Sequence, residues 1–322
     1  MPEPNSPALL QSLAGRPVLV TGATGFIGRH LVRRLVALGA EVHAGTRRRP
    51  EDVSFGPDSP SVTCRQVDLA DRDAVLALYD DVRPDVVFHL ASRVAGSRDL
   101  ELVHPTLSDN LCSTVHLLEA AARHGCERFV QVGSLEEPAE GDGVAVPSSP
   151  YAAAKAAAST YCRMFHQLYA VPVVRARVFM VYGPGPQDEN KLVPYVIRSL
   201  LDGETPSFSS GTRPVDWIHV DDVVEGFLRL AVTPGLEDRL VDLGTGTLHT
   251  VRDMVEQLFT ALDADTTPSF GGRNDRAQEQ IRRADVERTR ELLGWAPGID
   301  VKDGVEQTVA WFRSHPRSKP TS

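Results

Sequence analysis

The chain reads as an α/β protein, a doubly wound parallel sheet followed by a smaller α/β region, and three observations predict this class. First, PVLVTGATGFIG (Pro17 to Gly28) is an apolar strand running into a glycine loop and then a helix. Second, strand-like runs alternate repeatedly with helical stretches, the pattern of a parallel sheet. Third, a tyrosine and a lysine, Tyr151 and Lys155, stand one helical turn apart after the fifth such strand.

The strand Val18-Leu19-Val20 is apolar without alternation, as expected when both faces of a sheet are covered. Gly22, Gly25 and Gly28 then follow a G-x-x-G-x-x-G spacing. The first permits the tight turn, the second lets amides approach a diphosphate, and the third lets the helix pack on the strand. Phe26, Ile27, Leu31, Leu35 and Leu38 give that helix its apolar face, and its N-terminus faces the anion. Dinucleotide binding follows from the loop in this setting.

A second strand covers Glu41 to Gly45. An acidic residue at its end would bind the ribose diol of NAD. Here Thr46 and Arg47, followed by Arg48 and Arg49, offer a hydroxyl and guanidinium groups, which suit a 2′-phosphate. That favours NADP(H); the alternative is a solvated basic turn. Ser61 to Val67 is the third strand, with Asp68 and Leu69 beside the adenine, and Asp71 to Tyr79 the next helix. The strand Val86 to Ala91 should end beside the glycine loop, so that Ala91, Ser92 and Arg93 border the nicotinamide half. Asn110 falls on a helix from Leu107 to His124. The fifth strand, Phe129 to Val132, delivers Gly133-Ser134-Leu135-Glu136-Glu137 to the carboxyl edge of the sheet, where open α/β folds bind ligands.

The next helix starts with Ser149 as cap and Pro150 preset for its first turn. Its four-residue spacing puts Tyr151 and Lys155 on one face, where an ammonium orients a phenol and lowers its pKa from about 10.

Composition narrows the class. The formal net charge is −9, and no long basic run accompanies it, which argues against a nucleic-acid partner. Cys64, Cys112, Cys126 and Cys162 show no paired spacing, consistent with reduced thiols and no metal site. No stretch has the form of a signal peptide or a membrane span, so a cytoplasmic location is expected. The tails 1–15 and 315–322 are expected to be loose, and Glu137 to Ser149 and Phe270 to Gln280 to be loops.

TGATGFIG, HLAS, the serine at the fifth strand end, YAAAK and VYGPG together resemble the extended short-chain dehydrogenase/reductases, the nucleotide-sugar epimerases, dehydratases and reductases, from about residue 17 to 313. The resemblance implies a Rossmann domain over 1–185, with 215–247 returning to it, and a nucleotide-sugar-binding domain over 186–214 and 248–322. It implies that Ser134 and Tyr151 bind the substrate oxygen, that Tyr151 transfers its proton, and that Lys155 binds the cofactor ribose. The cofactor set then comprises Gly22, Thr24, Gly25, Phe26, Ile27, Gly28, Thr46, Arg47, Asp68, Leu69, Leu90, Ala91, Ser92, Tyr151, Lys155 and Val178. A nucleotide-sugar substrate and a homodimer are expected. In two places the chain departs from the family: Met180 stands where an Asn is usual, and Val215 where an Arg is usual. Both family residues touch the substrate diphosphate. Arg213, Arg273 or Arg276 are candidates to replace that charge, with Arg93 and Met180 also at the substrate.

Dehydratases resembling the dTDP-glucose enzyme place Asp-Glu after the catalytic hydroxyl residue. Here the pair is Leu135-Glu136, which weakens that chemistry while leaving Glu136 as a candidate acid or base. The run Gly133 to Glu137 resembles that of GDP-4-keto-6-deoxymannose reductases, and a basic cofactor turn suits a net reductase. The expectation is therefore NADPH-dependent reduction of a nucleotide-linked 4-keto-6-deoxy sugar. Alternatives are a 4-epimerase with tightly held NAD, then a 4,6-dehydratase or a non-catalytic NADP sensor.

Overall fold

A computed structural model describes residues 7–138, 146–274 and 281–317. The strands are β1 (Pro17–Thr21), β2 (Glu41–Thr46), β3 (Val62–Gln66), β4 (Val86–His89), β5 (Arg128–Ser134), β6 (Val173–Val178), β7 (Met180–Tyr182), β8 (Pro214–His219), β9 (Leu240–Leu243) and β10 (Leu248–Thr250). Seven of them form a parallel sheet in the order β3-β2-β1-β4-β5-β6-β9, and three form a smaller sheet, β10-β8-β7. The order reverses between β1 and β4, which opens a crevice at their carboxyl ends.

Both faces of the large sheet are covered. From β1, Val18 and Val20 point into one core with Leu31 and Leu35 of α2 (Phe26–Ala37), whereas Leu19 points into the other. The second core is built from α3 (Arg72–Val82), α5 (Ser113–His124) and α6 (Pro150–Tyr169), through Tyr79, Leu117, Leu118 and Phe165. Each such buried side chain contributes roughly 1.5–3 kcal/mol. Helix α8 (Val220–Val232) completes the first core, with α10 (Val286–Leu293) beside it. The smaller sheet packs Tyr182 and Trp217 with Ile197 of α7 (Leu192–Leu201), Leu258 of α9 (Val251–Ala261) and Phe312 of α11 (Val301–Ser314). Of the segment 215–247, β8 thus joins the smaller sheet, while α8 and β9 lie on the larger one.

The local signals behave as their chemistry dictates. Asp71 caps α3 by accepting from the amides of Asp73 and Ala74, and Ser149 caps α6 by accepting from Ala152 N at 3.1 Å. Two expectations need correcting. Residues 7–15 are not loose: α1 (Pro7–Gln11) carries Leu10 and is followed by Leu13, both buried in the first core, because their apolar surface finds a place beside α8. The helix expected from Leu107 to His124 is also not uniform. It follows α4 (Val103–Thr106), and Leu107–Cys112 forms a wider π-helical turn before α5. No helix among the described residues is long and apolar enough to cross a membrane.

Candidate active site

The glycine loop is shaped by steric necessity at two positions. Gly22 has φ +69°, and a Cβ there would stand 2.6 Å from Ala91 N, so the loops leaving β1 and β4 can approach this closely because the residue lacks a side chain. A Cβ on Gly28 would overlap Gly22 O and come within 2.8 Å of Ala23 Cα. Gly25 begins α2 with no side chain to cap it, so the first amides of the helix, at Phe26 and Ile27, are placed to receive an anion. Ile27 packs on the core and Phe26 lies edge-on to His30, so these two contribute backbone, while Thr24 stands half-buried between Gly22 and Gly25. The cradle fits a dinucleotide diphosphate.

At the end of β2, Thr46 is buried and its Oγ1 accepts from Arg48 N at 3.1 Å. Arg47 is exposed, with Nη1 3.7 Å from Asp109 Oδ2. Arg93 binds the same oxygen through Nε at 2.8 Å and Nη2 at 2.7 Å. One carboxylate of the π-helical turn therefore links an expected cofactor residue to an expected substrate residue. Arg29 was not anticipated. Its guanidinium donates to Thr24 O and Ser54 O, and its pKa is lowered by burial and by the facing Arg48. Asp68 is exposed and accepts from Ala70 N, Leu69 and Val178 are buried, and the half-buried Leu90 donates its amide to Thr21 O.

Beneath the crevice runs a buried chain of hydrogen bonds. Ala91 N donates to Thr21 Oγ1 (3.3 Å), and Thr114 Oγ1 donates to Asn110 O (2.7 Å). These ends leave His89 to accept from Thr21 at Nδ1 (2.8 Å) and to donate from Nε2 to Thr114 (3.0 Å). Burial, helped by the Lys155 charge, lowers the His89 pKa to about 3, so the ring is neutral. Asn110 then pins the β4 loop: its Oδ1 accepts from Arg93 N (2.7 Å) and Ser92 Oγ (3.2 Å), and its Nδ2 donates to Arg93 O. The wide π-helical turn sets this amide toward the loop, and no side-chain periodicity announces such a turn.

Ser134, Tyr151 and Lys155 do come together. The phenol of Tyr151 hydrogen-bonds with the hydroxyls of Ser134 and Ser92. The lowering expected of its pKa is corrected: burial pushes it up to about 12, the Ser134 hydrogen bond opposes this, and the charges of Glu136 and Glu137 add to it. Lys155 is buried, donates to Val132 O at 2.7 Å, and has its pKa lowered by burial to about 8. The half-buried Glu136 donates its amide to Ser134 Oγ at 3.2 Å. Leu135, by contrast, is 6% exposed and belongs to the core.

In the smaller region, Val215 is buried and Met180 half-buried, opposite Trp217 in the β7–β8 pair. Arg273 lies over the Tyr195 ring at 5.1 Å and donates to its hydroxyl, and the half-buried Arg213 offers its carbonyl to Val251 N. A third cation, Arg252, lies 3.8 Å over Phe270. Arg276 lies outside the described residues.

Comparison with known proteins matches residues 18–243 to the NAD dependent epimerase/dehydratase family. The chain is 32% identical to a UDP-glucose 4-epimerase of Mycolicibacterium smegmatis, covering 92% of this chain and 98% of that protein. It is 31% identical, with the same coverages, to a dTDP-glucose 4,6-dehydratase of Actinoplanes. Among solved structures, the UDP-glucose 4-epimerase of Thermus thermophilus in complex with NAD superposes with a TM-score of 0.80 at 29% identity, covering 93% of this chain and 99% of that one. The glycine cradle, the Tyr151–Lys155 face and these likenesses agree: the chain belongs to the NAD-dependent epimerase/dehydratase family, the extended short-chain dehydrogenase/reductases.

Proposed function

We propose that this protein inverts C4 of a nucleoside-diphosphate sugar. One observation carries the reading: the Tyr151 phenol hydrogen-bonds Ser134 and Ser92 and its ring faces the buried Lys155 ammonium, while the neighbouring position where a dehydratase has its Asp is Leu135, turned into the core. Tyr151 and Ser134 are equipped to handle a sugar hydroxyl, and Leu135 has no proton for a leaving group. Likeness to a UDP-glucose 4-epimerase at 32% identity supports this ahead of the net reduction first expected.

A bound nicotinamide would supply hydride acceptance and return; Gly22, Gly25 and the amides of Phe26 and Ile27 would hold its diphosphate. Tyr151 as phenolate removes the C4 hydroxyl proton and later returns it to the keto oxygen after the sugar has turned over. Ser134 orients that oxygen, and the Lys155 ammonium stabilises the phenolate. Glu136 lies beside the phenol as a further proton carrier.

The second reading is NADPH-dependent reduction of a 4-keto-6-deoxy sugar, and the cations after β2 favour it: Arg47, and Arg48 facing Arg29, with Gly45 and Thr46 rather than a carboxylate at the end of β2 to meet a 2′-phosphate. Stoichiometry separates the two. UDP-glucose, UDP-galactose, dTDP-glucose and an NDP-4-keto-6-deoxy sugar are incubated with NAD or NADPH. An epimerase interconverts the first pair without net nicotinamide turnover. One NADPH consumed per keto sugar establishes the reductase instead, a 4-keto product from dTDP-glucose the dehydratase, and binding without turnover a sensor.

A further inference from the structure

Tyr151, Lys155, Ser159 and Cys162 follow one another at helical spacing along α6 and form a single buried stripe facing β5. Lodged against that stripe is Glu137, only 6% exposed. Its Oε1 accepts from Ser134 N at 2.7 Å, and its Oε2 accepts from Ser159 Oγ at 2.7 Å. Gly133 makes room for it, since a Cβ there would overlap Oε1. A carboxylate held this deeply needs a positive partner. Ser159 lies one turn beyond Lys155 on the same face, so the carboxylate bound to Ser159 acts on the ammonium through its field.

We propose that Glu137 is a positioning residue with two tasks: it fixes the turn that presents Ser134, and it is the counter-charge that keeps Lys155 an ammonium in a site closed to water. Glu137 raises the affinity of Lys155 for its proton, against burial. The other groups facing Lys155 do not replace it. His89 from β4 is neutral, and the Cys162 thiol on α6 is pushed up to about 12 by burial. The Tyr151 ring, centred 6.0 Å from Nζ, carries a phenol raised to about 12, and Asp109 of the π-helical turn is bound by Arg93 and Arg47. From β6, Arg175 faces Cys162 and is paired with Asp238.

The proposal rests on Tyr151 and Lys155 being the proton-transfer pair, but its test needs no substrate and so fails independently of that reading. The lysines of the chain are Lys155, Lys191, Lys302 and Lys319. With carbon-13 at lysine Cε, their titrations are followed by two-dimensional NMR, and Lys155→Arg assigns the buried one, expected near 8. Glu137→Gln should lower that midpoint by roughly one pH unit or more. Ser159→Ala, which removes a hydrogen bond and keeps the charge, should leave it within a few tenths. Glu137→Asp, which keeps the charge on a shorter arm, should lower it by a smaller step and remains informative if Glu137→Gln does not fold. An unmoved midpoint in both Glu137 variants, or an equal shift in Ser159→Ala, overturns the proposal.

Discussion

The ammonium of Lys155 lies 6.0 Å from the centre of the Tyr151 ring, close enough to stabilise a phenolate without bonding to it. In the free protein the phenol pKa is about 12 because burial outweighs the Ser134 hydrogen bond. Tyr151→Phe should therefore cut turnover roughly 10²–10⁴-fold, the value of a positioned acid–base group, with nicotinamide affinity nearly unchanged. Lys155→Met should damage both. Turnover and fluorescence-titrated affinity on the two variants check this; a Phe variant that stays active would remove Tyr151 from the proton path.

Gly45 at the end of β2 leaves space for a carboxylate, since a Cβ there meets nothing closer than 3.6 Å. If the basic turn binds a 2′-phosphate, each charge-assisted bond supplies about 1.5–3 kcal/mol. Arg47→Ala should then weaken NADPH much more than NADH, and Gly45→Asp should reverse the order. Dissociation constants for both cofactors decide. Equal affinities, or tighter NADH, in the unaltered protein would leave the turn as a solvated cluster and remove the main support for the reductase reading.

The diphosphate of a nucleotide sugar requires cations that Val215, buried in the smaller core, does not supply. Arg213 before β8, Arg252 on α9 and Arg273 against Tyr195 of α7 are the candidates. Losing the right one should weaken UDP or dTDP on the order of tenfold or more, by the worth of one charged contact. Calorimetry on the three alanine variants measures it. Unchanged affinity in all three assigns the diphosphate to backbone amides.

His89 has a folded pKa of about 3 against the usual 6.5. Between those values the unfolded chain binds a proton that the folded chain refuses, so stability falls as pH drops through this window, by at most about 1.4 kcal/mol per pH unit. Lys155, lowered from 10.5 to about 8, acts in the same direction over that higher window and adds nothing further below it. Urea unfolding at pH 7, 6, 5 and 4 should show a shallower acid arm in His89→Gln than in the unaltered protein. Parallel arms would mean that the folded protein protonates the ring.

What the sequence determined by itself was short-range. Gly22 and Gly28 are required by backbone sterics within one loop, Ser149 caps the helix it precedes, and four-residue spacing alone sets Tyr151 and Lys155 on one face. The apolar run of β1 likewise announced a strand covered on both sides. Only tertiary packing decided that Asp109 stands between Arg47 and Arg93, that Leu135 turns into the core, that Leu13 ties down the N-terminal segment, and that Glu137 reaches Ser134 and Ser159 at once, with its charge bearing on Lys155. Burial and counter-charge depend on which strands and helices become neighbours across long stretches of chain. A hydrogen-bond period or a glycine spacing is written along the backbone, whereas the partner of a buried carboxylate is chosen by the fold that surrounds it.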